Sequence, residues 1–204
     1  LPSNVNFTEM APILCAGVTV YKGLKETETK PGEWVAISGI GGLGHLAVQY
    51  AKAMGMHVAA IDISDDKLDL AKRLGADLTV NSAEQNPGEY LKKETGGMHG
   101  ALVTAVAPQA FSQALGTLRR KGTLAMNGLP PGSFELDIFN AVLNRITIRG
   151  SIVGTRKDLQ ESIDFATEGK VTSNVHSAGI DDINGVIEDM RANKIEGRMV
   201  LDIA

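Results

Sequence analysis

Between residues 34 and 54 the chain passes from a short apolar run, WVAISG, through Gly39-Ile40-Gly41-Gly42-Leu43-Gly44 into an amphipathic run, LGHLAVQYAKAM. No other stretch narrows the fold so far. The glycines fit the spacing G-x-G-x-x-G, with an extra glycine at Gly42. That spacing alone is a weak signal, because glycine-rich turns are common. Its context is strong: it follows an expected strand and opens an expected helix, which is the first unit of a dinucleotide-binding α/β sheet. Gly39 permits the tight turn, Gly41 lets the backbone approach a pyrophosphate, and Gly44 lets the helix pack closely on the strand. The helix N-terminus then offers free N–H groups and a positive dipole end to phosphate. Within the helix, Leu46, Ala47, Tyr50 and Ala51 share one face, and Gly55 closes it.

The same beat continues downstream. Residues 57–62 (HVAAID) read as a second strand, and residues 65–74 as a helix with Ser64 as its N-cap and Gly75 at its end. Residues 78–80 form a short strand and 87–94 a polar helix. Residues 101–106 are strand-like, and a helix starts at Pro108 and stops before Gly122. Residues 123–126 and 146–149 supply a fifth and a sixth strand. Strands alternating with helices at this spacing imply a parallel sheet covered on both faces. The 23 glycines and few aromatics suit such a fold. The ends depart from the beat. Residues 8–27 look helical with a break near Cys15, residues 157–166 and 181–192 are amphipathic helices, and residues 198–203 (RMVLDI) look strand-like. No internal repeat or low-complexity linker is present.

Asp62 ends the second strand, roughly the ~20 residues past the glycines where an acidic group is expected to accept hydrogen bonds from the adenosine ribose. A carboxylate there favours NAD over NADP, since it repels a 2′-phosphate. The bland alternative is a carboxylate that merely caps the strand. Lys67, early in the next helix, either reaches the same ribose or is a solvated lysine. His45, in the first turn after the loop, is expected to be an exposed helix residue, the alternative being that it faces the phosphates. His57, His99 and His176 show no metal-ligand spacing, and neither a nucleophile elbow nor a phosphate-loop lysine occurs.

A formal net charge of -4 argues against nucleic acid as a partner. The densest basic run, Arg119-Arg120-Lys121, reads as the end of an exposed helix. No apolar run reaches the length of a membrane span, and no signal peptide is visible. One cysteine, Cys15, fits a reducing compartment such as the cytoplasm. The chain begins Leu1-Pro2 rather than with methionine, so an upstream part is expected to be missing.

Taken together, APILCAGVTVYKGLK, KPGEWVAISGIGGLGHLAVQYAKAMG, DISDDKLDLAKRLGAD, NGLPPG, ITIRGSIVGTRKDLQE and KIEGRMVLDI resemble medium-chain zinc-dependent alcohol dehydrogenases, most closely the bacterial ethanol- and propanol-oxidising branch. The resemblance covers essentially the whole chain. It implies that Thr19 and Leu43 pack against the nicotinamide ring and that the backbone at Asn127, Leu129 and Val153 binds the carboxamide. It also implies that Arg198 pairs with the pyrophosphate, and that Cys15 is one of three ligands to a catalytic zinc. The other two ligands, the structural zinc site and the proton-relaying histidine find no match here.

The expected fold is a doubly wound parallel six-stranded Rossmann sheet, order 3-2-1-4-5-6, with helical N- and C-terminal extensions. Residues 1–15 are expected to be a catalytic-domain remnant and linking helix, 16–153 the NAD-binding domain, and 154–204 a segment returning to the catalytic domain. The resemblance implies NAD and, in the intact enzyme, zinc as cofactors. The intact enzyme would interconvert small primary alcohols and aldehydes, and this chain alone is expected to be inactive. The alternatives are a zinc-free quinone or enoyl reductase of the same superfamily, against which Cys15 and Asp62 both argue, and a non-enzymatic dinucleotide-binding module. Against the latter, RMVLDI looks built to pair with a catalytic-domain sheet. A homodimer or homotetramer is expected through the sixth-strand edge, with Ile146, Ile148 and Ile152 as its apolar residues.

Overall fold

The computed structural model describes residues 5–192 and 194–203, so the first four residues of segment 1–15 and residues 193 and 204 of segment 154–204 lie outside the described residues. The chain enters through α1 (Phe7–Met10), a π-helical turn (Ile13–Gly17) and α2 (Val18–Glu26). The widened turn is the break expected at Cys15. The Rossmann body follows: β1 (Trp34–Ser38), α3 (Gly44–Ala53), β2 (His57–Asp62), α4 (Asp65–Arg73), β3 (Leu78–Asn81) and α5 (Pro87–Thr95). Its second half is β4 (Met98–Val103), α6 (Pro108–Thr117), β5 (Leu118–Met126), α7 (Ile138–Asn144) and β6 (Thr147–Gly150). The chain then runs through α8 (Arg156–Thr167), β7 (Val175–Gly179), a 3-10 turn, α9 (Ile183–Arg191) and β8 (Arg198–Asp202).

The main sheet has the order β3-β2-β1-β4-β5-β6, with every pairing parallel, as expected. Period-2 alternation divides its side chains between two cores. Val35, Ile37, Val58, Ala60 and Leu102 pack under α2, α3 and α8. Ala36, Ala59, Ile61, Ala101 and Val103 pack on the opposite face with Leu91 of α5 and Phe111 of α6. β1 and β4 are neighbours although two strands separate them in sequence. The chain therefore reverses its winding there and opens a crevice at their carboxyl ends.

Several boundaries differ from expectation. β4 ends at Val103, not at residue 106, because Thr104 and Ala105 both turn their N–H groups to Ser38 O. α6 ends at Thr117, and residues 118–122 join β5, where buried Leu118 pairs with Met98 across a register shift. Ser64 stands at the α4 N-cap position without a side-chain capping bond. Instead, the Asp62 carboxylate accepts from Ile63 N–H (2.8 Å) and Ser64 N–H (3.1 Å). α7 and β7 were not expected. β8, expected to await a partner sheet, pairs in parallel with β7 within this chain, from Val175–Arg198 to Gly179–Asp202. Among the described residues no helix is long and apolar enough to cross a membrane.

Candidate nucleotide-binding site

The glycine loop lies at the crevice between β1 and β4. Gly39 has φ +94°, a conformation that would strain any residue with a side chain, and a Cβ there would stand 2.7 Å from Ala105 N. The loop is pinned on both flanks. Gly39 N–H donates to Ile61 O (2.8 Å), and the Thr104 hydroxyl donates to Gly39 O (2.6 Å). A Cβ on Gly44 would collide with Gly39 O, so α3 starts as close to the strand as expected. Gly41 differs: a Cβ there would meet nothing within 4 Å. Its missing side chain therefore leaves open space beside the N-terminus of α3. At Gly42 a Cβ would lie 2.8 Å from Arg198 Cδ and 2.9 Å from its Nη1, so the Arg198 side chain is laid across this glycine.

Asp62, at the end of β2, ties the loop to the next strand. Its Oδ2 accepts from Ile40 N–H at 2.6 Å, and its Oδ1 takes the two amides at the start of α4. The carboxylate thus organises the loop as well as facing the crevice end of the sheet. Lys67 is half-buried in the first turn of α4, and Leu43 is half-buried just before α3.

On the other side of the crevice, Asn127 follows β5. Its N–H donates to Val103 O, its Nδ2 donates to Ser151 O (2.9 Å), and its Oδ1 is pressed against Gly23 of α2. This side chain braces α2 against the ends of β5 and β6, a role the sequence did not signal. Leu129 is exposed. Val153 is a β-branched residue at φ +44°, an unusual conformation that costs on the order of 1–3 kcal/mol and persists only where neighbours impose it. Two residues further on, Thr155 caps α8 in a capping box with Asp158, and Asp158 also accepts from Lys25 Nζ at 2.8 Å. Thr19, half-buried in the first turn of α2, donates its hydroxyl to Cys15 O (2.7 Å), and Cys15 itself is exposed in the π turn. Among the described residues no group of three or more His, Cys, Asp or Glu side chains converges to hold a metal.

His45 corrects an expectation. It is completely buried, not exposed, and burial holds its pKa below the usual histidine value. One of its ring nitrogens meets the backbone N–H of Asn174, 129 positions away in sequence.

A family model described as "Zinc-binding dehydrogenase" matches residues 42–168. An alcohol dehydrogenase of Moraxella sp. (strain TAE123) is 65% identical over 202 residues, covering 99% of this chain and 60% of the relative. The crystal structure of the alcohol dehydrogenase from Aeropyrum pernix superposes with a TM-score of 0.92 at 34% identity, covering 100% of this chain and 61% of that one. The structure of CAD from Helicobacter pylori, solved in complex with NADP(H), superposes with a TM-score of 0.84 at 28% identity, covering 98% and 56%. The chain spans 60% of the length of the curated relatives it matches.

Proposed function

This chain belongs to the zinc-binding dehydrogenase family, and on that premise we propose that it is the NAD-binding portion of an alcohol dehydrogenase interconverting small primary alcohols and aldehydes. The observation that carries the reading is the open space in front of Gly41, beside the N-terminus of α3, with Arg198 laid across the adjoining Gly42. A pyrophosphate entering there meets helix N–H groups, a positive dipole end and a guanidinium. Asp62 would take the adenosine ribose, with Lys67 within the same turn of chain. Thr19 and Leu43 would face the nicotinamide ring. Its carboxamide would bind the backbone at Asn127, Leu129 and Val153. The Asn127 N–H is already given to Val103 O, so Asn127 can contribute its carbonyl alone. When bound, the nicotinamide supplies the hydride chemistry, and these residues hold and orient it.

Zinc does not fit this chain by itself. A catalytic zinc takes three protein ligands and one open position, and among the described residues no group of three His, Cys, Asp or Glu side chains converges to supply them. Cys15 is proposed as one ligand, with the others coming from outside the described residues, and no reaction step is derived through the metal. Residues 16–153 would then form the nucleotide-binding unit, 1–15 the link from the catalytic domain and 154–204 the return to it, in a cytoplasmic enzyme.

Gly41→Val tests the nucleotide reading. Its side chain would point into open space, so melting should be unchanged, yet it would fill the phosphate cradle. NAD affinity measured by calorimetry should fall on the order of a hundredfold, about 2.7 kcal/mol. Unchanged affinity in a folded variant would remove the glycine loop from the site.

Self-association is proposed at the β6 edge. Ile146 and Ile148 are partly buried against the core beside α6, so only part of each is left for the contact surface expected of them. Exposed Ile138, Phe139, Val142 and Leu143 of α7 supply it, with Ile152. Ile152 also lines a cavity of about 400 Å³ with Phe111, Met126, Leu129 and Phe134. An apolar surface of this kind beside an open strand edge favours pairing of two copies. Sedimentation is expected to show a dimer or tetramer, and a stable monomer at high concentration would reject it.

A further inference from the structure

Two side chains of α3 hold the segment at residues 172–174 by its backbone. Asn174 N–H donates to His45 Nε2 at 3.2 Å, and the other ring nitrogen, Nδ1, lies 3.2 Å from Gly41 O. A neutral imidazole carries one N–H. Because Nε2 accepts, Nδ1 bears the proton and donates to the glycine loop. One turn further along, the Gln49 amide donates to Thr172 O and accepts from Thr172 N–H, both at 2.9 Å. The path continues from Asn174, whose carbonyl accepts from Arg198 N–H at 2.8 Å. The Arg198 side chain then returns across Gly42. The hydrogen bonds therefore close a circuit from the loop, through His45 and Asn174, to the arginine lying over the loop.

We infer that His45, as a neutral Nδ1–H tautomer, is a positioning residue that seats Arg198 over the phosphate cradle, an inference that rests on the nucleotide reading above. Gln49 cannot do this alone, since it holds Thr172 and not Asn174. Protonation would turn Nε2 into a donor facing the Asn174 N–H donor, which breaks the link at the point nearest Arg198. The surrounding charges are Arg198 on β8, Glu196 just before it and Arg73 at the end of α4. Arg198 opposes a second cation. Glu196 favours one, but it is held by Asn174 Nδ2 at 3.0 Å and stands 3.9 Å from Arg73. Burial, the largest influence, keeps the ring neutral, so its folded pKa lies below the ordinary value. The link is therefore complete above about pH 6.5 and is lost as pH falls through that lowered pKa.

The test is calorimetric titration of NAD into the full chain, His45→Phe, Arg198→Met and the double variant. At about pH 8, where the ring is neutral, His45→Phe should weaken NAD about five- to tenfold, the loss of one hydrogen bond's worth of placement. In the Arg198→Met background the same change should have little further effect, because His45 acts through that arginine. Wild-type affinity should decline as acidification carries the pH through the folded His45 pKa, which lies below the ordinary histidine value, whereas that of His45→Gln, which cannot titrate, should not. If His45→Phe fails to fold, the wild-type and His45→Gln pH profiles decide the question. NAD affinity unaffected by His45→Phe, losses that add fully in the double variant, or identical pH profiles would each overturn the inference. A wild type that binds no NAD at all would instead overturn the nucleotide reading and the inference with it.

Discussion

NAD is expected to bind on the order of a hundredfold more tightly than NADP, and Asp62→Ser to erase most of that gap. An ionised carboxylate has about four acceptor positions. Three are already taken by the amides of Ile40, Ile63 and Ser64, which leaves one on Oδ2 for a ribose hydroxyl. A hydrogen bond to a charged group contributes roughly 1.5–3 kcal/mol, which is about ten- to a hundredfold in affinity. NADP replaces a hydroxyl with a phosphate of nearly two negative charges, losing that bond and adding repulsion. No arginine follows to offset it: the next residues are Ile63, Ser64, Asp65 and Asp66.

The backbone contacts of Asp62 complicate a simple reading of its removal. Asp62→Ser also frees the Ile40 amide, so the loop loosens and both cofactors should lose affinity. The ratio isolates the carboxylate, because loosening lowers both affinities alike while loss of charge lowers only NAD and relieves NADP. Asp62→Asn is not the milder choice it looks. Both carboxylate oxygens accept from N–H groups, so either orientation of an amide sets its NH2 against a donor. Calorimetry of both cofactors with wild type and Asp62→Ser decides the matter. Equal wild-type affinities would sink the ribose assignment, and an unchanged ratio in the variant would move it to another group.

What the sequence revealed and what it hid divide along physical lines. β1, β2 and the glycine loop were legible because a buried parallel strand, a turn needing φ above zero and a following amphipathic helix each leave a local mark. The α6–β5 boundary was hidden because LRRK is built of good helix formers, and only the pairing of Leu118 with Met98 pulls it into the sheet. β7, VHSAG, shows no apolar alternation, since most of it is exposed and its pairing with β8 holds it. α7 is short, with no buried residue to mark a face. In the site, glycines and Asp62 announce themselves by spacing. His45 does not, because its partner Asn174 lies 129 positions away in the chain. The same holds for Lys25 and Asp158, whose partnership spans 133 positions.

Asp158→Ala is expected to lower the melting temperature by roughly 5–15 °C, taking about 2–4 kcal/mol at 2–4 °C per kcal/mol for a chain of this size. The Asp158 side chain is only 5% exposed. It accepts from Lys25 Nζ (2.8 Å), Thr155 N–H (2.8 Å) and the Thr155 hydroxyl (2.6 Å). Breaking a buried ion pair typically costs about 3–5 kcal/mol. The lower figure applies here because Lys25 is 34% exposed and keeps Glu161 at 2.7 Å. The loss should reach the site as well. Gly154 packs against Val18 and Asp158, so this pair ties the Val153 turn to α2. Without it the strained φ of Val153 can relax, and NAD affinity should fall along with stability.

Acid separates the charge from mere packing. Burial alone would raise the Asp158 pKa, but the hydrogen bonds from Lys25 and Thr155 outweigh it and hold the carboxyl well below the usual range. A depressed carboxylate contributes in full above its unfolded pKa of about 3.9, and that contribution is lost as pH falls through its folded value. The melting gap between wild type and Asp158→Ala should therefore stay constant from about pH 8 to 5 and shrink only below about pH 4. The His45 contribution, full above about pH 6.5 and lost as pH falls through its lowered pKa, should cancel in this comparison because both proteins carry it. A gap that persists unchanged into strong acid would mean that the shape of Asp158, not its charge, holds α8 to α2.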